Sequence, residues 1–167
     1  MTLVELLCLA SVSIGIGDYP DRAEYACKHM STVVAAAEAT NVKPEILVAL
    51  IHHESRWKPK AKSKAGACGL TQVLPKYTGS KKVGNPKYTC KQLFDPTTSI
   101  WAGSRVLSYF THRYGRGKYK IGLCAYLAGF RCKGKTPNES GVRYSRSVRR
   151  TASKLLAEVN KIKREQR

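Results

Sequence analysis

One apolar run between two prolines does most to restrict the folds open to this chain. From Pro44 to Pro59 the sequence reads Pro-Glu-Ile-Leu-Val-Ala-Leu-Ile-His-His-Glu-Ser-Arg-Trp-Lys-Pro. Pro44 suits the first turn of a helix, and the residue ahead of Pro59 avoids helical geometry, so the helix must stop before it. Leu47, Leu50, Ile51 and Glu54 fall at helical spacing. A helix that buries its Leu/Ile face therefore carries the Glu54 carboxyl toward the interior or a cleft wall. A desolvated glutamate can have its pKa raised to about 6, which lets it give a proton near neutral pH and take one back. The same run is compatible with an exposed glutamate in a last helical turn, and the residues downstream decide between the two.

The next stretch is Ser63-Lys-Ala-Gly-Ala-Cys-Gly-Leu-Thr-Gln-Val-Leu-Pro75. Together the two read Glu-Ser-x-Trp-x-Pro, then Ser-x-x-Gly-Ala-x-Gly-Leu-x-Gln, then x-x-Pro. Further along come Phe94-Asp-Pro96 with Ser99, Ile100 and Gly103, then Ala125-Tyr-Leu-Ala-Gly129, then Tyr144 and Val148. The ordered set, spanning residues 41 to 150, resembles the soluble lytic transglycosylase (SLT) family of the lysozyme-like superfamily, whose members cleave the glycan strands of bacterial peptidoglycan. The resemblance implies a mostly α, lysozyme-like single domain with helices around a glycan-binding cleft. It also implies Glu54 as the catalytic acid. Ser63, Gly69, Leu70, Thr71, Gln72, Tyr126 and Tyr144 become the candidate substrate-binding residues, with Ser55 in support. Three positions depart from the family pattern. Thr71 stands where many relatives carry Met, Ser99 and Leu127 where they carry Asn.

The reaction implied is non-hydrolytic. Glu54 protonates the oxygen between MurNAc and GlcNAc, and the MurNAc C6 hydroxyl then closes a 1,6-anhydro ring. One residue pattern agrees with it: no acidic residue lies between Glu54 and Asp95, whereas ordinary glycosidases set two carboxylates across the scissile bond. An intramolecular nucleophile needs neither a second carboxylate nor a positioned water. Asp95, just ahead of Pro96, reads as a helix N-cap. Two rivals stay open at this point: a goose-type-like lysozyme that hydrolyses the same bond, and a non-enzymatic basic protein that binds wall polymers or DNA.

Charge bears on partners. Up to Trp57 the chain has four basic and seven acidic residues, and after it 26 and four, within a net charge of +19. Such an excess attracts polyanions. Anionic envelope polymers are expected to meet this basic surface, and nucleic acid is not expected as a specific ligand. Peptidoglycan is the expected substrate, with phage virion or secretion-system proteins as possible neighbours and a periplasmic or virion location.

Six cysteines, at 8, 27, 68, 90, 124 and 132, point to an oxidising destination, with connectivity unreadable. Cys90 is placed to staple a Lys-, Gly- and Tyr-rich loop over 76–92, with Cys68 one candidate partner. No Cys-x-x-Cys occurs, and His52, His53 and Glu54 point different ways on a helix, so neither metal nor cofactor is expected. Residues 1–17 form an apolar segment, either a secretory signal or a retained helix. Glu5 and the missing basic start count against a signal. Residues 18–40 read as one supporting helix capped by Asp21, and residues 151–167 as the basic end of a final amphipathic helix.

Overall fold

The computed structural model describes residues 1–166. Eight α-helices are joined by turns: α1 (Leu3–Ser13), α2 (Pro20–Lys28), α3 (Met30–Ala39), α4 (Pro44–Ser55), α5 (Cys90–Leu93), α6 (Pro96–Ser108), α7 (Tyr119–Ala128) and α8 (Glu139–Glu165). Among the described residues the only strand-like pairings are two isolated bridges, Lys62 with Cys68 and Cys68 with Val73.

The core is built around α4. Every residue from Ile46 to Ile51 is buried, so this helix is enclosed on all sides and not merely along one stripe, as an apolar run without charges requires. α3, α8 and the neighbouring α1 pack around it. Pro44 sits in its first turn and Arg56 ends it in a left-handed conformation. α6 starts as its sequence dictates, with Asp95 accepting the Thr98 N–H at 2.8 Å and Pro96 in the first turn.

The stretch 18–40 differs from the single helix its composition suggests. It breaks at His29 into α2 and α3, and the cap position belongs to Tyr19 with Pro20 behind it, leaving Asp21 in the first turn. The proline fixes the helical start two residues early. The break lets α3 turn Met30, Val33, Ala36 and Ala37 fully into the core. The expected basic helix end is the last part of α8, which runs through position 150 without interruption up to Glu165; residue 167 lies outside the described residues. α6 passes into a π-helical segment, Tyr109–Tyr114, which rotates Phe110 and Tyr114 away from the main core and onto Cys124, Ala125 and Ala128 of α7.

Three disulfides join Cys8 to Cys27, Cys68 to Cys90 and Cys124 to Cys132. The first ties α1 to α2, the second pins the bridge-forming turn to α5, and the third holds the loop after α7.

Candidate active site

Glu54 emerges from the enclosed part of α4 in its last turn. Burial pushes its carboxyl up from 4.5 to about 7, against a smaller opposing effect from the Tyr144 hydroxyl. That hydroxyl, from the second turn of α8, donates to Glu54 Oε1. Burial and the neighbouring Glu54 charge both hold the Tyr144 phenol well above its ordinary value, so it stays protonated as a donor. Donation to Oε1 leaves Oε2 as the oxygen that carries the exchangeable proton.

The chain just after Glu54 is set by strain. Arg56 and Trp57 both take positive φ, 51° and 61°, a region that non-glycine residues visit at a cost of about 1 kcal/mol or more each. The double turn sends the Trp57 ring into the core, 1% exposed. Arg56 secures it by donating its backbone N–H and Nη1 to the His52 carbonyl, at 3.0 and 2.8 Å, while its Nε meets Asp18 at 2.9 Å.

The Gly69–Gln72 segment forms the next wall. Gly69 has φ 79°, and a Cβ there would fall 1.9 Å from the Leu93 carbonyl oxygen. The close approach this glycine permits is by the chain near α5, not by a ligand. Leu70 and Thr71 are fully buried. Thr71 donates its N–H to Ser99 Oγ at 3.1 Å and its hydroxyl to the Ser99 carbonyl at 2.7 Å, and its side chain rests on Gly103. These three residues therefore build the wall from behind, with the side chains of Leu70 and Thr71 fully buried. The Thr71 carbonyl accepts the Tyr126 hydroxyl at 2.7 Å.

Gln72 and Tyr126 do face open space. They line a cleft of about 650 Å³ together with Leu74, Tyr77, Val106 and Phe130. The Gln72 amide nitrogen is already committed to the carbonyls of Ala61 and Gly69, at 3.0 and 2.9 Å, so its oxygen is the atom left for a ligand. Glu54 does not itself line this cavity. Tyr126, which does line it, has its phenol pushed up by burial and then by the Glu54 charge. Ser63 and Ser55 sit outside the cleft lining. Ser63 Oγ accepts the Ala67 N–H at 3.0 Å, closing the turn, and Ser55 Oγ donates to Ile51 within its own helix at 3.2 Å.

Leu127, the residue in place of a polar one, lines the cleft and is half exposed. Tyr77 and Phe130, both exposed, form much of the rim, and no motif in the sequence marks them. Their signal was an exposed aromatic beside a glycine-rich turn, which alone says nothing of a cleft. Among the described residues that line the cleft, none is acidic.

The profile of the transglycosylase SLT domain matches residues 31–147, across α3 to α8 and all of this site. The chain belongs to that family. Among its relatives is the soluble lytic murein transglycosylase of Escherichia coli K12, 36% identical over 85 residues, which cover 49% of this chain and 13% of that protein. A transglycosylase of Enterobacteria phage PRD1 is 32% identical over 98 residues, covering 59% of this chain and 34% of the phage protein. In three dimensions the chain is similar to an inactive mutant of lytic transglycosylase Slt from Pseudomonas aeruginosa, with a TM-score of 0.69, 25% identity and coverage of 79% of this chain and 24% of that one. The fold of the 70 kDa soluble lytic transglycosylase of E. coli also matches, with TM-score 0.66 and 22% identity over 89% of this chain and 29% of that one. The SLT domain here is thus mostly α and lysozyme-like, and this chain spans about a third or less of the length of these relatives.

Proposed function

We propose that this chain is a peptidoglycan lytic transglycosylase, with Glu54 as both acid and base. The observation that carries the reading is a single carboxyl, buried enough to hold its proton up to about pH 7, with no second carboxylate acting on it among the described residues and one oxygen fixed by Tyr144. In the first step the Glu54 proton passes to the oxygen joining MurNAc C1 to GlcNAc C4, and the C1–O bond breaks with GlcNAc leaving as the alcohol. In the second, the MurNAc C6 hydroxyl attacks C1. Its proton returns to the Glu54 carboxylate as the 1,6-anhydro bond forms. No water enters the balance.

Gln72, through its free oxygen, and the ring of Tyr126 are the proposed glycan contacts. Ser63, Gly69, Leu70 and Thr71 shape the wall that holds them, and Ser55 supports the helix end. The phage PRD1 relative and the three disulfides support action on the wall from a phage particle, or from a secretion or conjugation apparatus working in an oxidising compartment.

The test is mass analysis of muropeptides released from purified peptidoglycan, with Glu54→Gln as control. Ring closure gives 1,6-anhydroMurNAc ends lighter by one water than hydrolysis gives. Predominantly reducing ends make the protein a lysozyme-type hydrolase, and undiminished cleavage by a folded Glu54→Gln protein removes Glu54 from the chemistry.

A further inference from the structure

Away from the cleft, the fold leaves one apolar helix face uncovered. α1 buries Leu6, Leu7 and Ala10 in the core but turns Leu3, Leu9 and Val12 outward, 41, 47 and 54% exposed. Leu9 and Val12 lie three residues apart and share one face. This helix is fastened to the rest of the molecule: Cys8 is bridged to Cys27, and Ile16 just beyond it is 1% exposed. It also lies outside the part of the chain matched by the family profile.

α1 runs antiparallel to the end of α8. Ser13 at the end of α1 donates to Glu158 at 2.9 Å, and the Gln166 amide reaches the Met1 sulfur at 3.5 Å. From Arg143 to Arg164 the sequence of α8 has eight cations and one carboxylate, Glu158. That carboxylate is itself occupied by Ser13 and by Lys161 at 3.5 Å. Lys154, Lys163 and Arg164 are exposed. The acidic groups on α1 and the helices packed against it are Glu5, whose carboxylate accepts the Thr2 N–H at 2.7 Å, Glu158 and Glu165 of α8, and Asp21 and Glu24 of α2, with Glu24 paired to Lys28 at 3.3 Å.

We infer that the outer face of α1, with the flanking cations of α8, is a docking surface for an anionic lipid bilayer. Exposed leucine and valine beside lysine and arginine are what an interfacial element needs: apolar side chains for the acyl boundary and cations for the headgroups. Here the two requirements come from two helices, since the apolar side of α8 is occupied by the core through Val148, Leu155 and Val159. Among the described residues no helix is long and apolar enough to cross a membrane, so α1 lies on the bilayer. A second copy is a poor cover for the same face, because each chain has a net charge of +19 and like charges repel.

The experiment is co-sedimentation with vesicles of mixed phosphatidylglycerol and phosphatidylcholine, or of phosphatidylcholine alone. It compares the full chain with Leu9→Ser/Val12→Ser and with Lys163→Ala/Arg164→Ala. Binding is expected to the anionic vesicles only. Each cation removed near the surface should weaken it about fivefold, and the pair roughly 25-fold. The serine pair should weaken it as well, and a Leu9→Trp variant should shift its emission to the blue on the anionic vesicles alone. Equal binding to both vesicle types overturns the inference, as does failure to bind either. Unweakened binding by the serine pair also overturns it, leaving a purely electrostatic surface for a soluble polyanion. A stable dimer that protects Leu9 gives the face to a second copy and overturns it too. Cleavage of solubilised glycan strands should be unchanged in both pairs, so this result and that for the proposed reaction are independent.

Discussion

Replacing Glu54 by glutamine should make the protein more stable above neutral pH and slightly less stable in acid. A carboxyl whose value rises from 4.5 unfolded to about 7 folded binds its proton more tightly in the folded state. Folding stability is then fully present below pH 4.5, declines as pH rises through about 7, and is level beyond it. The loss over that window is roughly 3 kcal/mol, at 1.36 kcal/mol for each tenfold change in proton affinity. Glutamine does not ionise and escapes it. Its carbonyl can still accept the Tyr144 hydroxyl, but its amide hydrogens gain no partner, at a cost of about 1 kcal/mol. The variant should therefore be about 1 kcal/mol less stable than wild type at pH 4 and about 2 kcal/mol more stable at pH 8. At this chain length the second difference is a rise of about 4–8 °C in Tm. Urea and thermal unfolding of both proteins with disulfides intact, across pH 4 to 8.5, measures it. A stability difference that does not change over that range refutes the argument that burial holds the proton on Glu54.

Tyr144→Phe removes the donor that lowers the Glu54 value, so the alkaline limb of kcat/KM should move to higher pH and the maximal rate fall roughly tenfold; a pH–rate profile with an unmoved limb counts against the contact. Gly69→Ala sets a Cβ against the Leu93 carbonyl at 1.9 Å with φ 79° and should cost about 3 kcal/mol or more, so a melting curve superimposable on wild type contradicts the packing described. Removing the Cys68–Cys90 bridge, which joins residues 22 positions apart, should cost about 3 kcal/mol and speed proteolysis between Lys76 and Lys87, and equal cleavage rates with and without it argue against a stapled loop.

Local chemistry explains what could be read from the sequence. Pro44 and Asp95 act within one helical turn, so α4 and α6 start where their residues say they must. The break at His29 was hidden, because Ala- and Val-rich residues on either side fit a continuous helix and only packing onto α4 favours the division. For the same reason the pattern could not tell a wall from a lining: Gly69, Leu70 and Thr71 stand next to Gln72 in sequence, yet their environment is set by Leu93, Ser99 and Gly103, in contacts that span 24 to 32 positions. Tyr144 meets Glu54 across 90 residues. No periodicity or spacing reaches so far, and only the family likeness pointed to it.

The disulfides pair in chain order: first cysteine with second, third with fourth, fifth with sixth. Six cysteines allow fifteen connectivities, but in this one no bridge encloses or crosses another. Of these six, a chain entering an oxidising compartment with its N-terminus first presents Cys27 when Cys8 alone has gone before it, and each later pair is completed before the next begins. Simple order of arrival then selects the native set, so oxidation during translocation requires no reshuffling, whereas oxidation of the full unfolded chain must sort among all fifteen.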